Sequence, residues 1–146
     1  MQESSQYLLG DPTLDADHAE LLRLIDSLSA AQPHELVAAL EALRDHAARH
    51  FAVEDEELRQ MKDGNASCHL DEHQAVLKSL AEVRDIVAGA GPSLDVAALI
   101  RPLCAELYRW LPEHVQAMDA GVAIFRTKSR FGGAPVVITR KPQQAA

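Results

Sequence analysis

Seven side chains in this 146-residue sequence have the types and spacings that could hold metal. His50 and Glu54 stand four residues apart, as do His69 and His73. His114 and Asp119 stand five apart, and His18 stands alone. On a helix, a spacing of four stacks two side chains one turn apart on the same face, so both can reach one ion. A spacing of five turns the second residue by about 140°, and a longer reach or a kinked helix must close that gap.

The chemistry follows from charge. A buried carboxylate costs several kcal/mol unless it is paired or bound to metal. A dinuclear metal site removes that cost, because the ions offset the carboxylates and each imidazole binds neutral. Five imidazoles and two carboxylates are too many for one tetrahedral zinc. They suit two six-coordinate ions with the carboxylates bridging. Imidazole with carboxylate suits iron, and the lack of thiolate argues against copper(I) and iron–sulfur clusters. Carboxylate-rich di-iron bundles carry paired Glu-x-x-His motifs, which this chain does not. Its histidine-rich set has fewer negative charges to stabilise high-valent iron, which favours reversible binding over hard oxidation.

Helices must position these residues. Four segments carry apolar residues at helical spacing between breakers. The first runs from about Thr13 to Ala31, after Asp11-Pro12, with His18 on the stripe of Leu14, Leu21, Ile25 and Leu28. The second runs from Pro33 to Asp63, where Gly64-Asn65 ends it, and places His50 and Glu54 on its apolar face. The third runs from Ser67 to Ala88 with His69 and His73, and ends at Gly89-Ala90-Gly91-Pro92. The fourth runs from Ser93 to Thr127 with His114, and carries Pro102 and Pro112 inside its pattern. Each proline removes a backbone donor and predicts a kink or break. The expected fold is all-α, an up-down-up-down four-helix bundle over residues 1–127 with a kinked fourth helix.

Residues 128–146 read as an irregular basic C-terminal tail. From Ala120 onward there are no acids and five bases, while the whole chain carries a formal charge of −8. Gly132-Gly133 breaks any helix, and Pro135-Val136-Val137-Ile138-Thr139 is β-prone. The tail could fray against the acidic bundle, cover one end as a lid, or offer a strand to a protein partner. The acidic balance and 4% aromatic content argue against nucleic acid. No apolar run reaches membrane-spanning length, and the N-terminus has no signal-peptide pattern. Two cysteines are too few for a disulfide scaffold, so a cytoplasmic protein with reduced thiols is expected. Cys68 reads as a small loop thiol and Cys104 as packing. His34 and His46 read as solvated or capping, and Glu54-Asp55-Glu56-Glu57 as a solvated face with only Glu54 turned inward.

The segments Asp15-Ala16-Asp17-His18, His50-Phe51-Ala52-Val53-Glu54, His69-Leu70-Asp71-Glu72-His73 and Trp110-Leu111-Pro112-Glu113-His114-Val115-Gln116-Ala117-Met118-Asp119 together resemble the hemerythrin pattern, over roughly residues 7–125. The resemblance implies a non-haem di-iron centre, two iron ions with an oxo or hydroxo bridge, that takes O2 as ligand. It implies that His69, His73 and His114 hold one iron and His18 and His50 the other. Glu54 and Asp119 would bridge them, and the second iron would keep a position open for O2 or another small diatomic. Phe51, Trp110, Leu111 and Val115 match positions that line a dry O2 pocket in that family. The function expected first is a reversible O2 carrier, store or scavenger. An O2, NO, redox or iron sensor acting through a partner is the alternative, and a peroxidase-like or NO-reducing enzyme the third. The inner stripes offer no obvious proton donor beyond the ligands, which counts against the enzyme.

Overall fold

The computed structural model describes residues 7–61 and 66–130, which form a four-helix bundle; no strand occurs among the described residues. Helix α1 spans Pro12–Ala30, α2 Leu36–Gln60 and α3 Ala66–Ala88. The fourth helix is continuous but has three parts: α4 (Val96–His114), a π turn (Val115–Asp119) and α5 (Ala120–Arg130).

The helix ends follow from local chemistry. Asp11 caps α1 by accepting from the backbone N–H groups of Thr13 and Leu14, both at 3.1 Å, with Pro12 in the first helical position where no donor is needed. Gly10 leads into this cap at φ +85°, a conformation that disfavours any residue with a Cβ. At the other end, Gln32 is extended, as the residue before a proline must be. Pro33–Glu35 forms a 3₁₀ turn rather than the first turn of α2, which starts at Leu36 and ends at Gln60, short of Asp63. The expected stop at Gly64-Asn65 lies outside the described residues. Asp95 caps α4 by accepting from Ala98 N–H at 3.3 Å, so the helix starts at Val96 rather than Ser93.

The prolines behave differently from a simple reading of the sequence. Helix α4 continues without a break across both Pro102 and Pro112. The departure from α geometry falls just beyond Pro112, at the π turn, where Ala120 N–H bonds back five residues to the Val115 carbonyl. Helix α5 extends to Arg130, so the first three residues of the expected tail are helical. The expected lid or strand beyond them lies outside the described residues.

Two apolar clusters flank the histidines along the bundle axis. The larger holds Leu21, Ile25 and Leu28 of α1, Leu36, Leu40 and Leu43 of α2, Leu80 of α3, and Ile100, Leu107 and Leu111 of α4. The smaller holds Leu14, Leu58 and Val122. Passing from one cluster to the other leads through His18 on α1, His50 and Glu54 on α2, and His114 and Asp119 on the fourth helix. Arg126 pins α5 in place, giving Nε and Nη2 to Glu57 at 2.6–2.8 Å and approaching Asp11 at 3.5 Å. Tyr108 ties α4 to α1 by donating its hydroxyl to Asp26. Among the described residues, no helix is long and apolar enough to cross a membrane.

Leu40 is fully enclosed in the larger cluster. Leu40→Ala should lower stability by about 2–5 kcal/mol through lost burial and a residual cavity, read from the shift of the urea unfolding midpoint.

Candidate metal centre

All seven candidate ligands converge at the level between the two clusters. His18, Glu54, His73 and Asp119 have no measurable exposure, and His50, His69 and His114 are buried to within a few per cent. Ligand atoms of His69, His73, His114 and Asp119 lie within 4.8 Å of one another, and so do those of His18, His50 and Asp119. Asp119 belongs to both groups. Its Oδ2 is 2.8 Å from His18 Nε2, and its Oδ1 is 2.9 Å from His69 Nε2 and 3.0 Å from His114 Nε2. Glu54 faces it across the site, 2.8 Å from His50 Nε2, 3.8 Å from His73 Nε2 and 4.0 Å from His69 Nε2.

The π turn explains how a spacing of five works on the fourth helix. In α geometry His114 and Asp119 would diverge. One wide turn with an i to i+5 bond brings the two side chains to the same side. The longer reach or kink expected from sequence is thus realised as a change of helical pitch over five residues.

Three imidazoles are oriented from behind by carboxylates. His50 Nδ1 is 3.0 Å from Asp17, His73 Nδ1 is 2.7 Å from Asp55, and His114 Nδ1 is 2.9 Å from Glu72. Donation from Nδ1–H fixes the tautomer and leaves the Nε2 lone pair pointing inward. His73 Nε2 and His114 Nε2 then face each other at 3.3 Å. Two neutral imidazoles so held present lone pair to lone pair, and only a cation or an extra proton relieves that. Around them, His18 Nε2, His50 Nε2, His69 Nε2 and both oxygens of Glu54 and Asp119 are buried without a well-directed hydrogen bond. Several lie 2.8–3.0 Å from a neighbouring nitrogen or oxygen without meeting hydrogen-bond geometry. The donor set therefore fits metal ions.

Proton affinities carry the same strain. Burial pushes His73 down, and the neighbouring rings of His114 and His69 push it further, to about 2. Burial also opposes charge on His114 and His50. There the carboxylates win, Asp119 and Glu72 at His114 and Glu54 and Asp119 at His50, and both pKa values are raised. Burial raises Glu54, and the His50 ring beside it does not overcome that. For Asp119 burial pushes up as well, but the close His114, His18 and His69 rings outweigh it and keep its carboxyl well below the usual range.

The expected pocket residues pack on these rings. Phe51 stacks on His73 with centroids 4.0 Å apart, and Trp110 on His114 at 4.4 Å. Phe51, Leu111 and Val115 are buried, and Trp110 is half-buried.

Some readings need correction. Asp55 is not on a solvated face: it is buried, and its carboxylate holds His73. Glu57 is also engaged, by Arg126. His46 is half-buried rather than solvated, with Nε2 3.2 Å from the Asp17 carbonyl and its ring parallel to His50. His34 is exposed as expected. Cys68 is exposed but lies in the first turn of α3, not in a loop. Cys104 is buried, and burial raises its thiol pKa. Sequence reasoning gave no role to Asp17, Asp55 and Glu72. Their sign is positional: each directly adjoins a candidate ligand (His18, Glu54 and His73) on its own helix and turns to the ring on the next.

A family model described as the hemerythrin HHE cation binding domain matches residues 9–123. The chain is 34% identical over 119 residues to a Bacteriohemerythrin of Ralstonia nicotianae, covering 82% of this chain and 83% of that protein. No solved structure matches the chain.

Because His50 and His114 bind protons more tightly than free imidazole, an incoming cation must displace protons. Anaerobic loading with ferrous iron near neutral pH should release protons into a weakly buffered indicator dye. Apparent affinity should weaken as pH falls, since protons then compete better for the same nitrogens. Uptake of iron without proton release would contradict these pKa directions.

Proposed function

The chain belongs to the hemerythrin family, and on that premise we propose that it is a non-haem di-iron protein that binds O2 reversibly in its bundle core, as a carrier, store or scavenger. The observation that carries this reading is the inward convergence of five imidazoles and two carboxylates, with His73 Nε2 and His114 Nε2 only 3.3 Å apart. In this reading His69, His73 and His114 would hold one iron and His18 and His50 the other, with Glu54 and Asp119 supplying carboxylate oxygens to the pair. The division follows the two ligand groups that share Asp119, and Glu54 contributes from the opposite side.

When bound, the iron pair supplies electrons that O2 can take up and give back. The chain's own residues keep that exchange reversible. Asp17, Asp55 and Glu72 fix three rings from behind, so Nε2 points inward without rearrangement. Phe51, Leu111 and Val115 exclude water from the side of the larger cluster, which limits proton entry and irreversible loss of reduced oxygen. The ion held by His18 and His50 would have one histidine fewer and would be the one to take O2.

Two measurements test this. The reduced, iron-loaded protein should contain about two irons per chain and gain a charge-transfer band in air that disappears on deoxygenation. Immediate irreversible oxidation would overturn reversible carriage and move the reading to redox sensing or peroxide chemistry. His73→Ala should lose most of one iron per chain by metal analysis. Retention of both would contradict the ligand assignment.

A further inference from the structure

Helices α1 and α2 pack closely, as do α2 and α3, whereas between α3 and α4 there is a groove of about 390 Å³. Its apolar floor includes Val76, Leu80 and Leu107, and Glu72 and Trp110 stand where it meets the candidate metal centre. Trp110 is the chain's only tryptophan. Its ring lies over His114 with the planes 27° apart, and its edge-on contact with Phe51, at 6.2 Å, joins it to the ring that covers His73. The indole is therefore the layer between the groove and His114.

One atom holds this layer. Glu72 Oε1 accepts from Trp110 Nε1–H at 3.0 Å and from His114 Nδ1–H at 2.9 Å. Oε2 takes part in neither bond, and the side chain is 35% exposed. Asp17 and Asp55 differ, since the carboxylate of each holds a histidine ring and no part of the surrounding wall. A half-buried indole N–H needs a partner to stay under cover. Without Glu72, the indole loses this acceptor and can swing toward the groove.

We propose that Glu72 is a positioning residue that holds Trp110 as a water seal between the α3–α4 groove and the metal centre, and that the same oxygen couples this seal to the orientation of His114. The ring and the ligand are thus set together. The part of this inference that concerns metal retention rests on the function proposed above; the seal itself does not.

The test compares Glu72→Gln with Glu72→Ala. Glutamine keeps Oε1 as a neutral acceptor and replaces only the oxygen outside both bonds. In metal-free protein, acrylamide quenching and the emission maximum report on Trp110 alone. Glu72→Ala should quench more readily and emit further to the red than wild type, while Glu72→Gln should match wild type. After ferrous loading, iron loss to a chelator should be about 10- to 100-fold faster in Glu72→Ala and close to wild type in Glu72→Gln. Wild-type quenching in Glu72→Ala would overturn the seal. Equal damage from Gln and Ala would show that charge rather than position matters, and would overturn it too. If the alanine variant does not fold, Glu72→Asp withdraws the acceptor by one methylene and keeps the charge; it should show the increased quenching, and wild-type quenching there overturns the proposal. A wild-type chain that takes up no iron would overturn the metal reading, while the quenching comparison would still decide the seal.

Discussion

Imidazole nitrogens and carboxylate oxygens that face one another in a dry core set the terms for the rest of this bundle. His73 and His114 meet nitrogen to nitrogen at 3.3 Å, each with its outer N–H held by a carboxylate. Asp119 and Glu54 add buried oxygens that have no hydrogen-bond partner. Such an arrangement repels itself unless positive charge sits inside it. The apolar clusters above and below enclose this level of the bundle, and helix termini capped by Asp11 and Asp95 fix where the helices begin. The fold is arranged to hold together a polar centre that would not hold itself together.

The supporting carboxylates pass from helix to helix in order. Asp17 on α1 serves His50 on α2, Asp55 on α2 serves His73 on α3, and Glu72 on α3 serves His114 on α4. Adjacent residues on a helix point about 100° apart. A ligand facing the axis therefore has a neighbour facing the next helix. This geometric fact lets α1, α2 and α3 each place a lateral support directly beside an inward ligand. It also links ring orientation to helix packing, so disturbing one helix contact disturbs a ligand on its neighbour.

Much of this was legible in the sequence. Spacings of four at His50–Glu54 and His69–His73 identified faces, and the apolar stripes identified helices, because both follow from a period near 3.6 residues. The pair His114–Asp119 broke that period. Its convergence depends on the π turn, which a fixed helical period does not encode and which begins three residues after Pro112. Asp55 was misread because an acidic run looks like a solvated face; only the position of α3 shows that one member is covered. Glu72 and Asp17 were unassigned for the same reason. Their partners lie on other helices, so sequence proximity marks the donor of support but not its recipient.

The central claim is that the polar core is completed by metal. Thermal unfolding of the metal-free protein, with and without ferrous iron under anaerobic conditions, tests it most directly. Ligand bound only to the folded state stabilises by about 3–4 kcal/mol at 100 to 1,000 times its dissociation constant. The account predicts a large, saturable rise in melting temperature with iron, lost when a chelator is added. An unchanged melting temperature at saturating iron would mean that protons alone settle the core, and would contradict it.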